Sequence, residues 1–363
     1  MGLTVTVVPG GDSSWDSWLQ GAPHDVYHLR GYHIFASELG EGDPYLVVAG
    51  DRDRGLAWPY LLRPIVGVEA NDVTSVYGYP GPVAWGLDPG DRFLSLAWEQ
   101  FLATWRDQNV VSVFTRFHPL VENAQLATAF YELAGEAGEV SLGLVAAGET
   151  VSVDCTLDDD AALAGYTKVL RQEIASARRA GLLTTEIEDW TSLEDFIRLY
   201  QATMDRSGAA RRYYMDGPSV LRLRDLLDGH LHLLITRLGD DVAAAGLFTE
   251  HEGIVQAFLV GTEERLRAHS PLKVLLDDAR RWARTRGSTV LHLGGGRAGH
   301  QDSLLAFKRR FSPRRHKFHT GGWVLQAGLY RHLAESRAAE RSPLTNDFFP
   351  AYRRGEQQVS EPD

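Results

Sequence analysis

Apolar positions recur along the chain with two periods, and each period predicts a different secondary-structure element. Short β-branched runs bounded by Gly and Asp, "DPYLVVAGD" and "GLAWPYLLRPIVGVE", predict neighbouring strands of a hairpin. Apolar residues three or four positions apart in "DRFLSLAWEQFLATWRDQNV" predict an amphipathic helix that begins at an Asp. A buried strand in "VVSVFTRFHPL" and a helix in "VENAQLATAFYELAGEAG" complete a mixed first half.

The second half begins near Val151 and repeats this alternation of helices and strands. Three consecutive strands, a helix and one further strand predict a largely antiparallel sheet with a single crossover. Ser192 and Ser270 are the predicted helix N-caps, and Gly287 is a predicted helix end. The predicted elements are a helix in "AALAGYTKVLRQEIASARRAGL", a strand in "TTEIED", a helix in "SLEDFIRLYQATMDRSG", strands in "HLHLLITRLG", "DVAAAGLFTEH" and "GIVQAFLVGT", a helix in "SPLKVLLDDARRWARTRG" and a strand in "STVLHLGGG".

The length of the chain predicts two domains, because a single core stops growing at roughly 250–300 residues and this chain has 363. We expect an α/β protein of the α+β type, built from two tandem modules with mixed, largely antiparallel sheets. The predicted boundaries are 1–150 and 151–335. Residues 336–363, which are polar and contain Pro, are expected to form a loosely held C-terminal tail.

Composition excludes several classes of protein. With 44% hydrophobic and 23% charged residues, the chain is not disordered over most of its length. No apolar run reaches the roughly 20 residues of a membrane helix, and the N-terminus lacks the pattern of a signal peptide. The single Cys155 excludes a disulfide framework and a cysteine-based metal site. We therefore expect a cytoplasmic protein without a membrane segment.

The net charge of −11 is unevenly distributed. Residues 1–150 hold 19 acids and 7 bases, whereas residues 265–319 hold 14 bases and 3 acids. Six of these bases lie in "FKRRFSPRRHKFH", residues 307–319. Such a segment favours contact with phosphates, and solvated helix faces rich in arginine are the alternative interpretation.

Several strings resemble the Fem-like branch of the GNAT superfamily of N-acyltransferases, in the same order and over nearly the whole chain. They are "YGYPGP" (77–82), "RFHPLVEN" (116–123), "LYQATMDRSGA" (199–209), "RAHSPLKVLL" (267–276), "LHLGGG" (291–296), "DSLLAFKRRFS" (302–312) and "FFPAY" (348–352). The resemblance implies two GNAT-like modules, with the acceptor side in the first and the donor side in the second. It also implies an enzyme that transfers an amino acid from aminoacyl-tRNA to an amine, without a cofactor.

The turn before the helix in "SPLKVLL" bears on the identity of the donor. Modules that bind acyl-CoA usually present Arg-x-x-Gly-x-Gly or Ala here, so that bare backbone N–H groups hold the pyrophosphate. In "RLRAHSPL", Arg265 is present but no Gly follows it, and Pro271 lacks an N–H. This departure predicts a donor other than acyl-CoA. An acyl-CoA-dependent N-acyltransferase is the alternative function.

The resemblance implies a catalytic role for Lys308, with Phe307 beside it, because the Lys of this pair supplies positive charge where transfer occurs in the Fem family. Aminolysis of an ester passes through a tetrahedral oxyanion, and one fixed donor stabilises such a state by about 2.7–4 kcal/mol. From the residues alone, Lys308 is one member of a basic stripe.

The other bases of this segment are the predicted tRNA contacts. They follow a helix end and the next loop, where they are expected to track the phosphates of an acceptor stem. These residues are Arg309, Arg310, Arg314, Arg315 and Lys317. A non-catalytic module that binds RNA or peptide through this face is the third interpretation.

The resemblance also implies an acceptor site near "YGYPGP", completed by an Arg and a Tyr after the "LYQATMDRSGA" helix. The implied residues are Tyr77, Tyr79, Arg212 and Tyr214, with Arg211 and Tyr213 as competitors for the last two. Tyr packs on a ring and donates a hydrogen bond, and Arg binds a phosphate or carboxylate. Structural aromatic residues in a Gly/Pro loop are the alternative.

One departure from the family concerns the acceptor. Members that bind muramyl ligands tend to carry an Asp soon after the Gly-Pro pair, whereas here "VAW" follows and Asp88 comes later. This departure argues against the cell-wall precursor as acceptor and favours a smaller peptide or an amino-sugar. The predicted acceptor is a small amine-bearing molecule, with a peptide, an amino-sugar and a peptidoglycan-like compound as the alternatives.

No local set of nucleophile and base stands out. The glycines of "LHLGGGRAGHQD" match neither nucleotide-loop pattern and predict a splayed backbone beside the transfer cleft, with Asp302 capping the next helix. His118 and His300 are candidate bases by residue type, without a visible partner. The 13 His are scattered, so we expect no metal site.

Overall fold

The computed structural model describes residues 3–88, 90–127, 130–131, 140–338 and 348–354. The chain divides into two compact units. Met1–Ala147 and Phe318–Asp363 form the first unit, and Gly148–Lys317 form the second. This division differs from the predicted 151–335 module followed by a tail, because residues from Phe318 onward return to the first unit and pair with its strand Val110–Arg116.

The helices and strands of the first unit include the four elements that the hydrophobic pattern predicts within residues 43–64 and 92–116. They are β1 (Val5–Pro9), α1 (Trp15–Leu19), α2 (Arg30–Glu38), β2 (Asp43–Gly50), β3 (Gly55–Pro64), β4 (Asn71–Thr74), β5 (Val83–Trp85), α3 (Arg92–Asp107), β6 (Val110–Arg116) and, after the second unit, β13 (Arg315–Val324) and α10 (Ala327–Ala338). The strand order is β1-β2-β3-β4-β6-β13, with β5 paired to β3. The β4–β6 pair is parallel, and the other pairs described are antiparallel. Half of the predicted helix in "VENAQLATAFYELAGEAG" lies outside the described residues, and its start is a 3₁₀ turn at Asn123–Leu126.

The core of the first unit is built on stacked aromatic rings. Trp58 of β3 stacks on Trp98 of α3 at 5.7 Å, and Trp98 stacks on Phe130 at 4.4 Å. Trp323 of β13 packs edge-on against Trp58 in the same cluster. Burial of each ring removes a large apolar area from water. The returning strand therefore contributes to this core as well as to the sheet.

The expectation of a loosely held tail is wrong for residues 348–354, which pack onto the first unit. Tyr352 is only 2% exposed. Its hydroxyl lies 2.8 Å from Ser112 Oγ and donates to Asp72 Oδ2 at 3.2 Å, and Arg353 Nε pairs with the same carboxylate at 2.8 Å. Aromatic burial and a shared buried carboxylate hold the segment in place. The rest of the predicted tail after residue 338 lies outside the described residues.

The second unit contains the predicted strand meander and crossover. Its elements are β7 (Val140–Asp154, from Gly148 onward), α4 (Asp159–Ala164), α5 (Lys168–Arg179), β8 (Leu182–Glu186), α6 (Leu193–Ser207), α7 (Gly217–Leu227), β9 (Leu231–Leu238), β10 (Asp241–His251), β11 (Ile254–Thr262), α8 (Pro271–Thr285), β12 (Val290–Gly295) and α9 (Ser303–Lys308). The strand order is β7-β12-β11-β10-β9-β8. Only β11 and β12 pair in parallel among these described strands, and α8 connects them. The fold class, a mixed α/β protein with largely antiparallel sheets, is confirmed.

Two local predictions fail because side chains find other partners. The single helix predicted over 161–182 is two helices, α4 and α5, because Thr167 has extended backbone angles and caps the second one. Ser192 and Ser270 stand at the predicted N-cap positions, but neither side chain caps its helix. Their hydroxyls accept hydrogen bonds from Arg237 and Lys273 instead, each at 3.0 Å.

Candidate active site

Lys308 is the last residue of α9, beside the glycine turn that follows β12. Asp302 caps α9 as predicted, with its Oδ1 accepting the Leu305 N–H at 2.9 Å. The Lys308 ammonium donates to the Gly295 carbonyl at 2.8 Å. Burial lowers the pKa of Lys308 to about 8, although the Asp302 charge acts in the opposite direction. The side chain is therefore a cation at neutral pH that is close to losing its proton.

Gly294 creates the space for this ammonium. The pairing of β12 with β7 shifts register between His292 and Gly294, so the strand bulges at this point. Gly294 has φ +73°, and a Cβ there would lie 3.4 Å from Lys308 Nζ. A side chain at this position would be strained by the positive φ and would lie in van der Waals contact with the ammonium. The β-bulge at Gly294 is the local opening of the backbone that the glycines of "LHLGGG" predict.

Phe307 and the arginines that follow it contact residues of the second unit. The Phe307 ring packs edge-on against Phe311 at 5.4 Å, next to the core. Arg309 Nε donates to Glu149 Oε1 at 2.9 Å, and Arg315 Nε lies 3.5 Å from the same oxygen. Phe307 thus anchors α9, and one carboxylate neutralises part of the charge of two arginines.

The remaining predicted tRNA-binding residues are partly paired as well. Arg310 pairs with Glu173, and Arg314 pairs with Asp154. Lys317 is exposed and, in the described part of the chain, forms no ion pair. Four of the five predicted bases thus pair with three carboxylates, so these eight side chains together carry a net charge of +2.

Arg212 and Tyr214 lie in the turn after α6. The Tyr214 hydroxyl donates to Asp205 Oδ1 at 2.6 Å. The Arg212 guanidinium lies 4.8 Å above the ring of Tyr213, and the Arg211 guanidinium lies 5.6 Å above that of Tyr214. Each arginine is exposed and stacks on a tyrosine. Arg212 and Arg211, the two arginines between which the sequence does not decide, therefore have equivalent environments.

Arg297 links the end of α6 to the beginning of α9. Its Nη1 donates to the Ser207 carbonyl at 3.2 Å, and its backbone N–H donates to Asp302 Oδ2 at 3.0 Å. The helix before the Arg212–Tyr214 turn therefore adjoins the loop before Lys308. Among the described residues, no hydrogen bond or ion pair joins that turn directly to Lys308.

Tyr77 and Tyr79 lie in the first unit, in the tyrosine loop, which we define as residues 75–82 between β4 and β5. The Tyr77 side chain is 57% exposed, and its carbonyl accepts from the Tyr32 hydroxyl at 2.9 Å. The Tyr79 ring is half-buried and packs edge-on against Tyr27 at 5.9 Å and Phe318 at 5.3 Å. The Tyr77 side chain is thus accessible to a ligand, whereas much of the Tyr79 ring is covered by its contacts with Tyr27 and Phe318.

A buried pair that the sequence could not show lies beneath the tyrosine loop. His118 Nε2 donates to Asp25 Oδ2 at 2.9 Å, and His118 Nδ1 accepts the N–H groups of Leu120 and Val121, both at 3.1 Å. Both ring nitrogens are engaged and both partners are buried. His118 is therefore a structural residue and not a general base. Asp25 is 93 residues away in the chain, so no local pattern reveals the pair.

Asn123 connects this pair to the tyrosine loop. Its Oδ1 accepts a hydrogen bond from the backbone N–H of His118 at 2.6 Å, and its Nδ2 donates to the Pro80 carbonyl at 2.8 Å. Gly78 has φ +124°, and a Cβ there would lie 2.4 Å from the Tyr27 ring. The loop is thus fixed by a polar anchor on one side and by close packing on the other.

The N-terminus of α8 differs from a pyrophosphate cradle in side chains as well as in sequence. Ser270 has φ +61°, and Lys273 Nζ donates to its hydroxyl at 3.0 Å while pairing with Glu173 at 2.8 Å. Arg265 forms a bidentate pair with Asp241 at 2.6 and 3.1 Å. A lysine and a carboxylate thus occupy the surroundings of this helix end, and the Arg of the expected pattern is engaged elsewhere.

His300 is exposed in the loop before α9, and no side-chain partner for it is found among the described residues. In that same part of the chain, no group of three or more His, Cys, Asp or Glu side chains is arranged to hold a metal ion. None of the helices described there combines the length and the apolar character needed to cross a bilayer.

Comparison with known proteins identifies the fold. Residues 164–302 match the family model described as an acetyltransferase (GNAT) domain. A crystal structure of FemX matches with a TM-score of 0.71 and 12% identity, over 91% of this chain and 99% of that chain. A conserved protein of unknown function from Bacteroides thetaiotaomicron VPI-5482 matches with a TM-score of 0.52 and 10% identity, over 88% of this chain and 99% of that one. No curated protein matches the sequence.

The fold and the family match support an acyltransferase of the GNAT type. Within that class, the architecture over nearly the whole chain is the Fem-like one, so the resemblance seen in the sequence is confirmed at the level of the fold.

Proposed function

We propose that this protein is an aminoacyl-tRNA-dependent transferase that forms an amide bond between an amino acid and the amine of a small acceptor. The acceptor is a peptide, an amino-sugar or a peptidoglycan-like compound. The observation that carries this proposal is the half-buried Lys308 ammonium, which is fixed against the Gly295 carbonyl beside a bulged, side-chain-free strand end.

Lys308 suits the charge that develops in aminolysis. The acceptor amine attacks the ester carbonyl of the donor, the C–N bond forms, and the C–O bond to the terminal ribose of the tRNA breaks. The proton lost by the amine goes to the departing ribose oxygen. Negative charge appears on the carbonyl oxygen in between, and an ammonium with two N–H groups beyond the one given to Gly295 stabilises it.

The choice of donor rests on the N-terminus of α8. An acyl-CoA needs bare N–H groups for its pyrophosphate, whereas this helix end carries Ser270 in a left-handed conformation with Lys273 folded over its hydroxyl. Arg314 and Lys317 are the most accessible bases for a tRNA phosphate, because the first keeps half of its side chain exposed in its ion pair and the second has no pair in the described residues.

An acyl-CoA-dependent N-acyltransferase is the second candidate. The observation in its favour is that the GNAT family match at 164–302 includes the N-terminus of α8. In that function Lys308 would stabilise the oxyanion of a thioester, and the pyrophosphate would bind away from Ser270.

The test is a calorimetric titration of the purified protein with acetyl-CoA and with a pool of aminoacylated tRNA, each at 50 and 200 mM salt. Salt-sensitive binding of tRNA without affinity for acetyl-CoA supports the proposal. Tight binding of acetyl-CoA selects the second candidate. Binding of tRNA without transfer to any amine in a radiolabelled amino acid assay would reject the enzyme in favour of an RNA-binding module.

A further inference from the structure

Arg116, at the end of β6, is a cation that forms no ion pair with the described residues. In the same acidic unit, Arg54 and Arg63 each pair with an aspartate. The Arg116 side chain forms no hydrogen bond or ion pair in the described part of the chain, although it is half-buried. Its guanidinium lies 5.4 Å from the centroid of the Phe114 ring. A partly desolvated guanidinium on an aromatic face, with its donors unused, is ready to bind an anion.

Arg116 and the tyrosine loop belong to the same surface of the first unit. The Arg116 carbonyl lies 3.2 Å from the position that a Cβ on Gly81 would take, so strand and loop are in contact. Burial raises the pKa of the Tyr32 and Tyr79 hydroxyls, and the Arg116 charge opposes both rises. The Tyr32 hydroxyl in turn donates to the Tyr77 carbonyl. The Arg116 charge thus acts on Tyr79, which the sequence assigns to the acceptor, and on Tyr32, which holds the Tyr77 backbone.

Glu41 is the carboxylate whose titration responds to Arg116. Burial raises the pKa of Glu41, and the Arg116 and Arg63 charges lower it. Among the described residues, the two side chains nevertheless form no ion pair, although their charges interact. The Arg116 donors therefore remain available to an incoming group.

We infer that Arg116 recognises an anionic group of the acceptor, a carboxylate or a phosphate, while the exposed Tyr77 ring packs against the same molecule. The inference rests on the proposed function and makes it more specific, because the acceptor must then carry an oxyanion in addition to its amine. The planar guanidinium presents two parallel N–H groups that match either oxyanion. A neutral amine gains nothing from this contact.

Binding of matched ligand pairs, measured by calorimetry without any donor, tests the inference. One pair is glucosamine 6-phosphate and glucosamine; the other is alanyl-alanyl-lysine with a free C-terminal carboxylate and its C-terminal amide. In at least one pair, we expect the ligand that carries the phosphate or carboxylate to bind about tenfold more tightly than the ligand that lacks it. One charge-assisted contact provides a difference of this size. The pair that shows the preference identifies phosphate or carboxylate as the recognised group.

Variants locate the preference. Arg116→Gln is expected to abolish the difference between the paired ligands, and Arg116→Lys is expected to keep part of it because the charge remains without the planar fork. Arg52→Gln is the matched control, since Arg52 is an exposed arginine of the same unit. If Arg116→Gln does not fold by circular dichroism, the comparison of Arg116→Lys with wild type decides.

Two results overturn the inference. One is an anion preference that survives in both Arg116 variants; the other is the absence of any preference, or of any binding, for all four ligands in the wild type. Because no donor is present, the outcome is separate from that of the tRNA and CoA titration. A preference that depends on Arg116 in a protein without transfer activity would keep the anion site and reject the proposed reaction.

Discussion

Lys308 shows how one side chain acquires a function from its surroundings. An exposed lysine titrates near 10.4, whereas burial lowers the pKa of this one to about 8. The Gly295 carbonyl and the Asp302 charge keep the protonated form from being lost altogether. Its position at the end of a capped helix fixes the ammonium in space, which a residue of a flexible basic stripe would not achieve.

Replacement of Lys308 tests this role. Lys308→Ala is expected to lower kcat for amide formation by about 10²–10³, which is the effect of removing one oxyanion donor. Steady-state kinetics with aminoacyl-tRNA and an excess of acceptor measure the loss. The matched control is Lys168→Ala, which removes an exposed lysine of the same unit that has no proposed role and is expected to leave kcat unchanged. A kcat that is equal in Lys308→Ala and wild type would remove Lys308 from the reaction.

The pKa of Lys308 also predicts a pH dependence. If the cation is the active form, kcat falls as pH rises through about 8, because the ammonium loses its proton there. Lys308→Arg retains its charge above this pH, and its profile is expected to lack the decline whatever its absolute rate. An unchanged alkaline decline in Lys308→Arg would assign it to another group.

His33 predicts a pH dependence of stability in the first unit. Burial lowers the pKa of His33 to about 3, and the unfolded chain titrates near 6.5. As pH falls from 6.5 towards 3, the unfolded state binds a proton that the folded state refuses, so the free energy of unfolding falls by up to about 1.4 kcal/mol per pH unit. Urea titrations at several pH values are expected to show a shallower slope for His33→Phe. His300→Gln, at an exposed position, is the control with an unchanged slope.

At the scale of elements, the tyrosine loop depends on residues distant in the chain. Asp25 precedes the short turn at Val26–His28, and His118 and Asn123 follow β6, yet together they hold the Pro80 carbonyl. Burial alone raises the pKa of Asp25, but its contacts with His118 and His28 outweigh this and hold it well below the usual value. The carboxylate is therefore charged and hydrogen-bonded, which is the condition for a buried acid to be accommodated in a structure.

Removal of the Asn123 side chain measures this anchor. Asn123→Ala breaks its hydrogen bonds to His118 and Pro80 and leaves buried polar groups unpaired, so we expect a loss of about 1–3 kcal/mol in the free energy of unfolding. Gln125→Ala, at an exposed position of the same 3₁₀ turn, should cost less than about 0.5 kcal/mol. Equal losses in the two variants, measured by urea denaturation, would show that the anchor contributes no stability.

Elements with a clear period could be predicted from the sequence, and the exceptions have physical causes. The strands β9 to β12 and the helix α8 lie where alternation and helical spacing put them. The sequence pattern does not predict the break between α4 and α5, because apolar residues continue at helical spacing across Thr167. The break depends on the hydrogen bond by which Thr167 caps the second helix. The pairing of Asp25 with His118 and the unpaired state of Arg116 depend on tertiary contacts, which no local pattern contains.

At the scale of the whole molecule, charge is organised differently from the sequence. Composition indicates a basic segment in an otherwise acidic chain. In the structure, however, Glu149, Asp154 and Glu173 pair with the arginines of this segment within the second unit. Long-range attraction to a polyanion is therefore weaker than a count of bases suggests. Only the folded chain shows which charges remain available.

This organisation predicts a modest salt dependence of tRNA binding. If Arg314 and Lys317 are the main phosphate contacts, two contacts give a slope of log K against log salt of about −1.4 to −1.8. Lys317→Ala is expected to lower that slope by nearly half. A slope several times steeper, measured by filter binding between 50 and 200 mM salt, would mean that tRNA displaces the carboxylates from the paired arginines.

The return of the chain from the second unit to the first has a consequence for biosynthesis. Residues 148–317 are synthesised before Trp323 and Tyr352, so the sequence of the second unit is complete while the first still lacks a strand and two of its buried rings. Until then, a tryptophan-rich surface of the earlier-made segment stays uncovered and prone to association. A stop codon just after residue 317 would accordingly leave the second unit with its whole sequence and the first unit unfinished.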